Sequence, residues 1–132
     1  MTVNKRRLSG LVVTLLLQTS LVHAKTVEIT PKNVPNWEYF TPHQLKFAQK
    51  EVDEGHQPWK TDPVSCAKVL LKIYYPEIDV NQMEEVPAQL KIRGKHALVK
   101  IRYKNKGHAI YLHEAFPSDP MSIWIAEKMV IE

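Results

Sequence analysis

The sequence lacks the covalent cross-links that stabilise many small domains. It contains a single cysteine in 132 residues, so no disulfide can form within one chain. It also lacks an uninterrupted apolar run of about 20 residues, the length that a membrane-spanning helix needs. A folded domain must therefore be held together by the packing of its apolar and aromatic side chains.

The first 24 residues have the composition of a secretory signal peptide. Basic residues at positions 5–7 precede the apolar run 11–17, and Val22 and Ala24 are the small residues expected before a cleavage site. We therefore predict a bacterial-type export signal that is cleaved before Lys25, which leaves a mature chain in the periplasm or outside the cell. An uncleaved membrane anchor is the alternative interpretation.

The excess of positive charge lies largely in this predicted signal peptide. The whole chain has 18 basic and 14 acidic residues and a net charge of +4. Without the three basic residues at 5–7, 15 basic residues remain against 14 acidic ones. We therefore expect no nucleic-acid partner on the basis of overall charge, and any electrostatic function must come from where the charges lie.

The predicted mature chain is long enough for one domain with one core. Residues 25–40 contain prolines and aromatic residues, and we predict that they form a lead-in segment with a short strand at 27–29. The remainder, 41–132, is predicted to be a single domain.

Two helices are predicted at the start of this domain. Thr41 and Asp62 are good N-caps, and each is followed by a proline, which is favoured at the first helical position. Gly55 marks the end of the first helix and Pro76 the end of the second. The acidic residues 77–87 are predicted to form a loop, or a loop with one helical turn.

From residue 88 onward, apolar and polar residues alternate with the period of two that is typical of β-strands. Turns are predicted at Gly94, at 105–107 and at 116–120. Helices followed by such strands predict an α+β fold, with two helices packed on one face of a three- to four-stranded antiparallel meander. This order of elements is similar to cystatin-like and NTF2-like layouts, and the similarity implies no function. The last two strands are predicted at 108–115 and 122–131.

The stretch from residue 89 to 107 carries seven basic residues and no acidic one. Because alternate residues of a strand share a face, the apolar residues here, such as Leu90 and Ile92, should point to the core. The basic residues should then form adjacent rows on the outer face, where like charges opposite one another are destabilising. We therefore predict an anionic partner, such as a cell-envelope polymer, a lipid headgroup or an acidic protein; a solvated sheet face is the alternative. The predicted binding residues are Lys91, Arg93, Lys100, Arg102 and Lys104.

Cys66 and His108 support a second interpretation. Cys66 lies about one turn into the second predicted helix, where a helix N-terminus lowers a thiol pKa, and His108 opens a predicted strand. The strand 107–112 resembles that of cell-wall thiol peptidases of the NlpC type, which implies a hydrolase with Cys66 as nucleophile and His108 as base. The residues around the thiol, 63–68, differ from the Asp-Cys-Ser-Gly pattern of that family, and a buried core thiol is the alternative. We expect a binding domain without catalytic activity.

The sequence has no cofactor or metal signature, and we expect neither. His108 and His113 are an odd number of residues apart on one predicted strand, so they face opposite sides. The acidic segment 79–85 lacks the glycine turn of a calcium loop. The link between the two helices offers a further alternative, in which His56 and Trp59 line a small-ligand pocket between the helices and the sheet.

Overall fold

The computed structural model describes residues 24–132. The predicted signal peptide lies outside this range except for Ala24, so export stays a prediction. Within the described residues, three α-helices, one short 3-10 helix and five β-strands confirm the predicted α+β class. In chain order the elements are β1 (Lys25–Glu28), α1 (Pro42–Asp53), the 3-10 helix (Pro58–Thr61), α2 (Pro63–Tyr74), α3 (Val80–Glu85), β2 (Ala88–Arg93), β3 (His96–Tyr103), β4 (Lys106–Glu114) and β5 (Trp124–Ile131).

Local capping explains where the two long helices begin. The Thr41 hydroxyl accepts a hydrogen bond from the Gln44 backbone N–H, and the Gln44 side chain accepts one from the Thr41 N–H, which completes a capping box. The Asp62 carboxylate caps α2 by accepting from two backbone N–H groups of its first turn. Both predicted starts are confirmed. None of the helices between residues 24 and 132 has the length and apolar character needed to cross a membrane.

The sheet has the strand order β1-β5-β4-β3-β2, and all neighbouring strands are antiparallel. Strands β2 to β5 form the predicted meander, and β1 adds a fifth strand by pairing with β5. The short strand predicted at 27–29 lies at Lys25–Glu28 and belongs to the sheet, so the predicted three to four strands were too few. Its partner comes from the other end of the domain and could not be inferred locally. The predicted number of helices was also low by one, since Asp79 caps the short helix α3 within the acidic segment.

The turn between β3 and β4 differs from the predicted one. Tyr103 pairs with Lys106, which leaves Lys104 and Asn105 as a two-residue turn. Both turn residues have positive φ, +52° and +60°, as hairpin turns matched to the twist of the strands require. The predicted turn at 105–107 is thus displaced, because the register of the paired strands decides which residues form it.

The helices lie on one side of the sheet, which we term the inner face; the opposite side is the outer face. Helix α2 contacts β2, β3 and β5. Its buried residues are Pro63, Cys66, Ala67, Leu70 and Leu71. The core cluster includes the sheet residues Val99, Ile101, Ile110, Leu112 and Met129.

The inner face is only partly covered at the edge strand β2. Leu90 and Ile92 are 44% and 53% exposed, whereas their β3 partners Val99 and Ala97 are buried. The register turns both β2 residues toward the helix side, as the alternation predicted, but the prediction that they enter the core is wrong. The reason is that β2 is the last strand of the sheet and extends past the packed helices.

Candidate functional site

Strand pairing places four of the five predicted basic residues on the outer face. Lys100 is directly opposite Gln89 of β2, and opposed residues of an antiparallel pair share a face. Lys91 and Arg93 follow Gln89 at intervals of two, and Arg102 follows Lys100, so all four lie on this face. Their side chains are exposed. We refer to these four residues, Lys91, Arg93, Lys100 and Arg102, as the basic row.

The predicted direct opposition of like charges does not occur, because the register staggers the basic row. Each member is opposite a residue other than lysine or arginine: Lys91 opposite Leu98, Arg93 opposite His96, Lys100 opposite Gln89 and Arg102 opposite Gly107. What distinguishes the basic row is that no carboxylate among the described residues balances its charge. Within the described part of the chain, none of the four takes part in an ion pair.

Lys104, the fifth predicted binding residue, is separated from the row. It lies in the β3–β4 turn, and its Nζ is 2.8 Å from Glu77 Oε1. The hydrogen bond to Glu77 raises the pKa of Lys104, and the same contact lowers the pKa of Glu77. Its charge is therefore already matched by a carboxylate from the segment that follows α2.

A hollow of about 300 Å³ lies on the outer face beside Lys100 and Arg102. It exists because Gly107 and Ala109, the neighbouring residues on β4, have almost no side chain to fill the space between the longer side chains around them. Arg102 Nη2 donates to the Asn105 carbonyl at 3.3 Å, which holds the guanidinium near the turn. The hollow is further lined by Pro87, Gln89, Ile101, His108 and Glu132.

At the other side of the outer face, the charged side chains contact an aromatic ring or one another. Lys128 lies over the ring of Tyr111, with Nζ 4.8 Å from the ring centre. The Glu127 carboxylate contacts His113 Nδ1 and lies 3.9 Å from His96 Nδ1. Among the described residues, the basic row on β2 and β3 has neither kind of contact, and its members Lys100 and Arg102 lie next to the hollow.

Cys66 is a core residue in this structure. Its side chain has no exposed surface, and Sγ is 3.4 Å from the Lys60 carbonyl oxygen and 3.8 Å from that of Trp59. Burial, with a contribution from the Asp62 carboxylate, raises the pKa of the thiol to about 12. The expected lowering of the pKa by the helix N-terminus is therefore outweighed, and the thiol stays protonated at neutral pH.

His108 is buried on the inner face and both of its ring nitrogens are engaged. Nε2 is 2.8 Å from the Tyr75 hydroxyl, and Nδ1 is 3.1 Å from the Lys106 carbonyl oxygen. Because a carbonyl only accepts, Nδ1–H donates to Lys106 and Nε2 accepts from Tyr75. Burial lowers the pKa of the imidazole. Neither nitrogen contacts Cys66, so the structure does not join the two residues into a nucleophile and base.

The sequence predicted no metal site, and a small-ligand pocket lined by His56 and Trp59 was one of its alternative interpretations. No group of three or more His, Cys, Asp or Glu side chains among residues 24–132 could hold a metal ion. The acidic segment 79–85 is largely the helix α3. In the link between α1 and α2, His56 is exposed, whereas the neighbouring Lys60 is buried beneath a cavity. Sequence reasoning missed Lys60, because a lysine in a polar link carries no local sign of burial.

Comparisons with known proteins assign no role to the residues of the site. No protein-family model, no curated protein and no solved structure matches the chain.

Proposed function

We propose that this protein is a small binding module without catalytic activity, and that the basic row holds an anionic partner on the outer face. The observation that carries the proposal is the unmatched charge of Lys100 and Arg102 beside the hollow. Exposed cations of this kind give up little hydration when an anion approaches, and they attract it over about 8–10 Å at ordinary ionic strength.

The spacing of the row favours a partner with repeated negative groups. Two residues along a strand are about 7 Å apart, and neighbouring strands are about 5 Å apart. Four cations on this grid match several phosphate or carboxylate groups of one extended chain better than a single small anion. An anionic cell-envelope polymer is therefore the proposed partner, and an acidic protein is the alternative with the same chemistry.

The place of action follows from the predicted signal peptide. If residues 1–24 direct export, the mature protein meets its partner in the periplasm or outside the cell. The polymers available there carry phosphate or carboxylate groups at regular intervals, which is the chemistry that the basic row would recognise.

The test is binding of fluorescently labelled polyphosphate and polyglutamate, measured by anisotropy across a range of salt concentrations. We compare the parent with a variant in which all four residues of the basic row are changed to glutamine. Each surface cation near an anionic surface contributes about 1 kcal/mol, so the variant should bind at least tenfold more weakly. Binding by the parent should weaken as salt is added.

A matched control removes the same net charge elsewhere. Lys32, Lys46, Lys50 and Lys72 are changed together to glutamine, which leaves the outer face intact. This control should retain affinity within about twofold of the parent. Equal losses in the two variants would mean that only net charge matters, and an unchanged affinity in the basic-row variant would end the proposal.

A further inference from the structure

Lys60, in the 3-10 helix between α1 and α2, is a buried cation. Its side chain is 1% exposed, and Nζ lies over two aromatic rings, 4.9 Å from the ring centre of Tyr39 and 5.6 Å from that of Trp59. Removing an ammonium group from water is costly unless the protein replaces its hydration. Two ring faces replace part of it, because their negative faces attract a cation.

The hydrogen-bonding capacity of this ammonium is not used by the described residues. The closest carboxylate oxygen, Glu38 Oε2, is 3.7 Å from Nζ, which is beyond hydrogen-bond distance, and the Glu38 side chain is 70% exposed. An ammonium has three donors and no acceptor. Lys60 therefore has donors available for a ligand at a position where water has little access.

A cavity of about 260 Å³ lies against Lys60. One wall is a face of α1, whose residues at 44, 47, 48 and 51 recur at helical spacing. The helix is fixed in place by Gln49, whose side chain donates to the Met121 carbonyl and accepts from the Ile123 N–H. The other wall comes from the 3-10 helix and from the lead-in segment. The lining residues are Glu38, Gln44, Phe47, Ala48, Glu51, Gln57 and Lys60.

The backbone at one wall is held in an uncommon conformation. Gln57 has φ +49° and ψ +56°, the left-handed region that non-glycine residues seldom occupy. Such residues persist where the surroundings fix them, and they cluster at ligand sites. Gln57 directly precedes Pro58, the first residue of the 3-10 helix that carries Lys60. Its side-chain amide lines the cavity.

The cavity combines opposite charges with an apolar surface. Lys60 supplies one ammonium, while Glu38 and Glu51 supply two carboxylates. Gln44 uses its side-chain oxygen in the capping box, so its NH₂ group is left to donate. Phe47 is 59% exposed and lines the same cavity. A complementary ligand therefore carries a carboxylate, an ammonium and an apolar group within a small volume.

We propose that this cavity binds a small zwitterion of the α-amino acid class. The ligand carboxylate accepts hydrogen bonds from Lys60 Nζ, its ammonium group faces Glu38 and Glu51, and its side chain packs on Phe47. The site is separate from the outer face and does not depend on the function proposed for the basic row.

The test is a titration of the protein with the L- and D-enantiomers of alanine, leucine and phenylalanine. Binding is measured by calorimetry and by ¹⁵N chemical shifts. Saturable shifts should occur at residues 44–51 and 57–60. Leucine amide lacks the carboxylate and N-acetyl-leucine lacks the ammonium, so each should bind at least about tenfold more weakly than leucine. The absence of saturable binding for all six amino acids would overturn the proposal.

Substitutions locate the binding energy within the cavity. Lys60→Met keeps the length of the side chain and removes its charge, and we expect about tenfold or greater loss of affinity. Lys46→Met is the matched control, because Lys46 is exposed on α1 and does not line the cavity; its affinity should stay within about twofold. Unchanged affinity in Lys60→Met would contradict the proposal. Should that variant fail to fold, Glu51→Gln is expected to weaken leucine binding more than N-acetyl-leucine binding.

Discussion

On the outer face, Lys100 and Arg102 are exposed and have no carboxylate partner among the described residues, whereas Lys60, among the helices, is 1% exposed between two aromatic rings. The titratable groups nearest the core are held neutral by burial, which raises the pKa of Cys66 and lowers that of His108. Charge on the outer face is thus available for a partner at little desolvation cost. Charge among the helices is stabilised only where specific groups replace water.

The largest expected effect comes from reversing the charge of the buried lysine, Lys60. Lys60→Glu places a carboxylate in an enclosed position near Glu38 and against the negative faces of two aromatic rings. An uncompensated buried charge costs about 3–5 kcal/mol of unfolding free energy. Lys100→Glu, at an exposed position of the basic row, is the matched comparison and should leave the free energy of unfolding nearly unchanged.

Urea unfolding at pH 7 measures both variants of this pair. A loss below about 1 kcal/mol for Lys60→Glu would show that the side chain reaches water, and the contrast between the two lysines would disappear. A large loss for Lys100→Glu would instead show that the outer face has a structural role. Lys60→Met separates charge from packing, because it removes the buried ammonium and keeps a side chain of similar length. It should therefore lose less unfolding free energy than Lys60→Glu.

Alkaline pH provides an intermediate effect through Cys66. Burial raises its pKa from an ordinary value of 9.0 to about 12. Above pH 9 the unfolded thiol loses its proton while the folded one retains it, so the unfolded state is favoured as pH rises. We expect the parent to lose about 1 kcal/mol per pH unit between pH 9 and 10 relative to Cys66→Ala.

Urea unfolding at pH 7, 9 and 10 tests this difference, and lysine or tyrosine titrations shared by the two proteins cancel in the comparison. Native alkylation by iodoacetamide should also be much slower than alkylation of the denatured chain. Parallel stability curves, together with rapid native labelling, would show an accessible thiol and reopen the hydrolase interpretation.

Local chemistry accounts for the parts of the fold that the sequence predicted. Thr41 and Asp62 cap helices through bonds to residues two or three positions away, so their role is visible in a short window. The outer-face placement of Lys100 and Arg102 follows from the alternation of β3 alone. Both depend on interactions within one element.

The missed features depend on contacts between distant elements. Lys104 lies in a turn because the pairing of β3 with β4 fixes the register. Leu90 is exposed because the helices cover only part of the edge strand β2. Lys60 is buried by Tyr39 and Trp59 together, of which only Trp59 is adjacent in sequence. The cavity against Lys60 needed three chain segments and was therefore not predictable from a local pattern.

The smallest expected effect concerns a hydrogen bond between two neutral polar groups on the inner face. Tyr75→Phe removes the hydroxyl that donates to His108 Nε2 at 2.8 Å and leaves that nitrogen without its donor. Because the net contribution of one neutral hydrogen bond is modest, the expected loss at pH 7 is about 0.5–1 kcal/mol. Tyr74→Phe is the control, because no hydrogen bond of its hydroxyl is found in the described chain, and it should change stability less. Below about pH 6.5 the unfolded imidazole gains a proton while the folded one, with its lowered pKa, stays neutral, so the stability of the parent should fall as pH decreases. If urea unfolding finds equal losses for the two phenylalanine variants, the Tyr75–His108 bond contributes nothing and the inner face tolerates an unmatched polar group.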